Sequence, residues 1–178
     1  MIFFLDYIKR LVYLLIIYSL SRLYFFFHNL NYFKKTSIYE FIEGLRFDLS
    51  ALVYINIPIL ILLLFPSKFR LHKSYIKFTN ILFYLFNIPF IILNNIDIEY
   101  FKYTQKRSTF DLISLIQLGN DAKYIIPQYI QLYWKITIFT LIQIWFLTKI
   151  KSKPKENKNT ISKNIFLFII LIAIFVTG

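Results

Sequence analysis

The chain has 178 residues and a net charge of +12, yet it is 58% hydrophobic and only 17% charged, where a soluble domain carries about one quarter charged residues. With 21 Phe, 14 Tyr and a mean hydropathy of +0.58, it holds more apolar side chain than one small core can hide. An ordinary water-soluble globule is therefore excluded, and hydrocarbon is needed around the chain. The basic residues flank apolar runs and form no aromatic-and-basic RNA-binding motif, which excludes nucleic acid as a partner. The lack of Cys excludes disulfides and any thiolate metal site.

Lys9 and Arg10 lead into "LVYLLIIYSLSRLYFFF", and a first membrane span is expected over about 9–27. It has no small-x-small cleavage site and ends on bulky rings, which marks a retained helix and not a signal peptide. Arg22 lies about a turn and a half from the outer end of this run. It can snorkel to the headgroups, or pair with Asp48 or Glu43. The connector 28–48 balances Lys34, Lys35 and Arg46 against Glu40, Glu43 and Asp48. Within it Glu40, Glu43 and Phe47 recur at helical spacing, so a short interfacial helix is expected there.

Further spans are expected over about 49–65, 76–94, 127–148 and 163–178, the last cut short by the end of the chain at Gly178. The second and third each contain "NIP", and Pro58 and Pro89 are expected to bend their helices. Tyr129, Tyr133 and Trp134 fall where an interfacial aromatic belt belongs. Alternate connectors are strongly basic. Lys9 and Arg10, then Lys68, Arg70, Lys73 and Lys77, then Lys149, Lys151, Lys153, Lys155, Lys158 and Lys163 make up 12 of the 21 basic residues. The positive-inside rule then predicts an all-α, polytopic bundle of about five transmembrane helices, with a cytoplasmic N-terminus and an exported C-terminus.

The other exported connector, 95–126, contains "DIEYFKYTQKRSTFD", with three acids and three bases in residues 97–111. "STFD" fits a capping box, Ser108 capping a short interfacial helix over 112–119 while Asp111 reaches back. No catalytic set or metal site can be assembled. His28 and His72 fall on opposite sides of the membrane by the charge argument, and there is no HExxH, GxSxG or glycine-rich phosphate loop. The outer basic residues stand out against the inward bias. Arg46, Lys102, Lys106 and Arg107, with Asp48 and Glu99, are the candidates for holding phosphate-bearing headgroups or docking a partner domain. Local pairing with Asp97, Glu99 and Asp111 is the competing account.

Together "GLRFDLSAL" (44–52), "DIEYFKYTQKRSTFD" (97–111) and "NDAKYIIPQYIQLYW" (120–134) resemble the membrane-embedded half of the lipoteichoic-acid-synthase-like family. These are sulfatase-fold phosphoglycerol and phosphoethanolamine transferases, and the likeness is to members from Bacteroidetes-type bacteria. The resemblance implies five spans in the bacterial cytoplasmic (inner) membrane, acting as the anchor of an exported catalytic domain, fused or separate. It also implies membrane phospholipids as partners. The threonine nucleophile and divalent metal of that domain have no counterpart in this chain, so no cofactor is expected here. The alternative is a self-contained, non-enzymatic membrane scaffold or partner subunit.

Overall fold

The structure, a computed structural model, describes residues 2–33, 38–63, 72–107 and 122–150. They form six α-helices: α1 (Ile2–His28), α2 (Ile38–Ile55), α3 (Ile57–Leu63), α4 (Lys73–Thr104), α5 (Ala122–Leu132) and α6 (Trp134–Lys149), with a short 3-10 turn at Leu30–Tyr32. The expected fifth span over 163–178 and the capping box of Ser108 and Asp111 lie outside the described residues.

The helices alternate in direction. Arg10 near the start of α1 donates to Asn80 near the start of α4, and His28 at the end of α1 meets Glu99 near the end of α4, so these two run parallel. Tyr133 at the head of α6 lies 3.0 Å from the Tyr103 hydroxyl, while Tyr84 donates to Ile150 just past the tail of α6 at 3.2 Å. Thus α6 returns antiparallel. The α2–α3 pair also descends, from Arg22 contacts at Phe41 to a Tyr75–Leu62 hydrogen bond beside the start of α4. The result is an up-down-up-down bundle with α2 and α3 acting as one broken leg.

The buried face of α1 follows from its spacing. Tyr7, Leu11, Leu14, Tyr18 and Ser21 recur at four- and three-residue intervals, the stripe that packs one helix on another. They meet Leu52 and Val53 of α2, Ile59 and Leu60 of α3, Phe83 and Ile91 of α4 and Leu147 of α6 in one core. At one end, rings close the bundle. Phe33 stacks on Phe101 with centroids 5.4 Å apart, and Phe26 meets Phe41 edge-on at 5.0 Å.

Helix α4 has an inverted pattern. Its buried stripe alternates polar and apolar: Thr79, Phe83, Asn87, Ile91, Asn95, Ile98. Its exposed side carries Phe78, Ile81, Leu85, Phe90, Ile92, Leu93 and Ile96. In water that arrangement would hide the polar groups and expose the rings, whereas in hydrocarbon both choices are favourable. Helices α1 and α4 are long and apolar enough to cross a membrane, with only 28% and 22% of their most apolar windows buried, far less than a core helix of a soluble protein would show. The chain is accordingly a membrane-associated all-α bundle.

Three expectations need adjusting. The span expected as one run over 127–148 is divided at Tyr133 into α5 and α6. The second apolar run is not a single bent helix. It breaks at Asn56, with Pro58 in the first turn of α3, where its missing N–H costs no hydrogen bond. Helix α4 runs unbroken through Pro89 and on to Thr104, so the expected outer loop at 95–126 begins as helix. At 1.5 Å per residue α4 is about 48 Å long, longer than the roughly 30 Å hydrocarbon layer, so one or both ends reach the headgroup zone. It stops where Gln105 takes the left-handed conformation, φ 53° and ψ 22°, and its N–H caps the Phe101 carbonyl at 2.8 Å.

Candidate functional site

Charge is sorted between the two ends of the bundle. Lys9, Arg10, Lys73, Lys77 and Lys149 occupy one end, where Asp6 is the one acid among the described residues. The other end collects Glu40, Glu43, Asp48, Asp97 and Glu99 with Arg22, His28, Arg46, Lys102, Lys106, Arg107, Lys123 and Lys135. We refer to these as the basic end and the mixed-charge end.

The mixed-charge end is built from three assemblies. In the first, His28 Nε2 lies 2.6 Å from Glu99 Oε1 and 2.7 Å from Lys102 Nζ, and Lys102 reaches Glu99 Oε2 at 3.1 Å. One ring nitrogen cannot serve both neighbours at once. Protonated, Nε2 donates to Glu99, and unprotonated it accepts from Lys102. In the second, the chain reverses after α4 and brings Arg107 back along the helix. There Arg107 Nε meets Asp97 Oδ2 at 3.1 Å and Nη2 donates to Asn94 Oδ1 at 2.6 Å. In the third, Arg22 of α1 crosses to α2. It pairs with Asp48 at 2.5 Å, donates to Phe41 O at 3.3 Å and also donates to the Gly44 carbonyl.

Asp48 sits just outside the second apolar run. Burial pushes its carboxyl up, and the facing Arg22 opposes that shift with both charge and hydrogen bond, helped by the charge of Arg107. The second and third assemblies are therefore neighbours. Gly44 is what lets Arg22 lie flat on α2, since a β-carbon there would overlap the guanidinium. A Gly→Ala change inside a helix ordinarily stabilises by about 1 kcal/mol. Gly44→Val is expected instead to lower stability by about 2 kcal/mol, the loss of charged hydrogen bonds outweighing propensity. The check is thermal unfolding in detergent, with the same change costing little in an Arg22→Met background.

Of the residues singled out from sequence, Asp48, Glu99, Lys102 and Arg107 are thus held in local pairs. Arg46 is exposed on α2, its guanidinium 5.8 Å from the Phe47 ring centroid, and Lys106 is exposed just beyond α4. Arg22 takes the pairing with Asp48 that was one of its two readings. His28 and His72 stand at opposite ends, His28 beside Glu99 and His72 at the N-cap of α4. No group of three potential ligands for a metal ion is found among the described residues.

Sequence reasoning passed over the interior. The two "NIP" motifs meet through their asparagines. Asn56 Nδ2 donates to Asn87 Oδ1 at 3.0 Å and Asn87 Nδ2 returns the bond to Asn56 Oδ1 at 2.9 Å, both residues being fully buried. Each amide also donates to its own helix, to Leu52 O and Phe83 O at 2.8 Å. Closer to the mixed-charge end, Gln143 donates to Ser21 Oγ (2.9 Å), Ser21 to Asn95 Oδ1 (2.7 Å), and Asn95 back to Gln143 Oε1 (2.6 Å), closing a ring across α1, α4 and α6. The signal was present as polar residues set inside apolar runs, every eight positions along α4 at Thr79, Asn87 and Asn95, a pattern that lipid-facing helices use to find one another.

No family model, curated protein or solved structure matches the chain.

Proposed function

We propose that the chain is the membrane anchor module of a sulfatase-fold, lipoteichoic-acid-synthase-like phospholipid headgroup transferase or hydrolase working at the outer face of the bacterial cytoplasmic membrane. In this reading five spans cross the membrane, with the N-terminus cytoplasmic and the C-terminus exported. The observation that carries it is the sorting of charge. The end with five bases and one acid among the described residues matches the cytoplasmic side under the positive-inside rule, and the mixed-charge end then faces outward. The catalytic domain, fused or separate, would bring the nucleophile and the divalent metal, and this module would hold that domain beside its lipid substrate.

Support for headgroup or domain docking is strongest for Lys106, which is exposed at the mixed-charge end. It is weaker for Lys102 and Arg107, which are held by Glu99 and Asp97. The same local pairing favours the second reading, a self-contained scaffold or partner subunit. The test is to isolate the tagged chain from native membranes in mild detergent and assay headgroup transfer from labelled phosphatidylglycerol and phosphatidylethanolamine. The anchor reading expects activity to co-isolate and Lys106→Gln to lower turnover several-fold at unchanged protein level. An isolate with neither activity nor a sulfatase-fold companion leaves the scaffold.

A further inference from the structure

Two of the three assemblies at the mixed-charge end are anion–cation pairs, and the remaining one holds a conflict. Glu99 Oε1 and Lys102 Nζ approach the same His28 nitrogen, at 2.6 and 2.7 Å. A nitrogen that carries a proton repels the ammonium, and one that offers its lone pair repels the carboxylate. Each charge state of the ring therefore makes one of these contacts and opposes the other. The side chains of His28, Glu99 and Lys102 are only 28%, 17% and 34% exposed, so water screens the conflict in part. The backbone on either side is pinned. Asn29, the next residue, donates to Ile98 O at 3.0 Å, and Phe25 meets Phe101 edge-on at 5.0 Å. Tyr24 lies edge-on to the His28 ring at 5.7 Å and rests on Phe139 of α6 at 4.9 Å. Lys102, on a flexible four-carbon stem in the last turn of α4, is the group that can move.

We infer that His28 is a proton-operated switch at this end of the bundle. Neutral, it ties Lys102 to the terminus of α1; protonated, it takes Glu99 and turns Lys102 away toward solvent. The formal charge of the three groups then passes from zero to plus one. Histidine suits a sensor, since it changes charge between about pH 5 and 8. The groups around it hold their charge over that range. Glu99 and Lys102 face the ring from α4. From α6, Tyr133 bonds to Tyr103 and lies within electrostatic reach of Glu99, and phenols titrate only near about pH 10. Asp97 is paired with Arg107 two residues before Glu99, and Asp48 of α2 is paired with Arg22. His72, the other histidine of the chain, stands at the N-cap of α4 at the basic end. The switch needs no catalytic partner and stands apart from the anchor reading.

The experiment follows the imidazole signals of the full chain by NMR in neutral detergent as pH is varied. His28 is identified by the signal that His28→Gln removes. Lys102→Met takes away the competing cation and should raise the proton affinity of His28 on the order of threefold. Glu99→Gln takes away the anion and should lower it by about as much. Lys102→Arg keeps the cation and should titrate like the unaltered chain. A second readout is the unfolding equilibrium in a denaturing detergent, as double-mutant cycles at about pH 5.5 and about pH 8.5. The coupling of His28 with Lys102 should be favourable at the higher pH and vanish or change sign at the lower. The coupling of His28 with Glu99 should run the other way. Each cycle isolates one pair, so the titration of Asp48, whose carboxyl burial pushes up, drops out. A His28 titration that either Lys102→Met or Glu99→Gln leaves unmoved would overturn the switch. So would couplings that keep the same sign and size at both pH values, which is what a merely structural histidine gives.

Discussion

Asn95→Leu is expected to destabilise the bundle by on the order of 3 kcal/mol, read as equilibrium unfolding in bicelles titrated with a denaturing detergent. Asn95 is 1% exposed and makes three side-chain bonds: it accepts from Ser21 at 2.7 Å and donates to Thr140 at 2.9 Å and Gln143 at 2.6 Å. Leucine fills the same space and adds apolar surface. In an ordinary core it would be a mild change. Here it leaves the Ser21 hydroxyl without its acceptor and Gln143 Oε1 without its donor, inside a layer where no water can replace them. Single bonds between membrane helices average about 0.6 kcal/mol and reach about 1.7, so three bonds plus two stranded groups account for the larger figure. The combined change of Ser21→Ala, Asn95→Leu and Gln143→Leu should recover part of the loss, because nothing polar is then left without a partner. A cost below about 0.5 kcal/mol for Asn95→Leu would mean that the ring does not form in the folded protein.

The Asn56–Asn87 pair is expected to behave as one unit. Asn56→Leu and Asn87→Leu should each cost about 2 kcal/mol, and the double variant should cost less than the sum by about 1–2 kcal/mol. Each single change leaves one fully buried amide facing a methyl group, whereas the double change leaves two apolar side chains in contact. The pair also closes the break between α2 and α3. Asn56 O accepts from Ile59 and Leu60, both at 3.0 Å, while its side chain returns to Leu52 O. The variants should therefore loosen the α2–α3 corner first, with faster amide exchange at Ile59 and Leu60 than at Ile91. Strictly additive energies would show that the two amides do not meet.

Much of this architecture was legible in the chain as written. The apolar runs, the long first helix and the sorting of basic residues into alternate connectors follow from composition and order alone, since hydrophobic length and charge placement are one-dimensional properties. The helical spacing around Glu40, Glu43 and Phe47 was legible for the same reason, although α2 carries that helix without a break into the apolar run that follows. The extension of α4 to Thr104 was not. The charges of "DIEYFKYT" suggest a loop, yet Glu99 and Lys102 are one turn apart on α4 and stabilise each other as a helical pair reaching past the hydrocarbon.

Pairing was beyond the reach of the sequence. A proline in "NIP" announces itself by its own chemistry, and so attention falls on Pro58 and Pro89. The asparagine two residues earlier acquires a role only when another helix supplies its partner, 31 positions away. The charges of the mixed-charge end follow the same logic. Composition shows that they balance, but only folding decides that Lys102 is held by Glu99 and His28, Arg107 by Asp97 and Arg22 by Asp48. By itself the sequence determined that this chain belongs in hydrocarbon and which ends of its helices carry which charge. The tertiary structure decided which polar groups satisfy one another, because a buried hydrogen bond is a relation between two helices and is written in neither one alone.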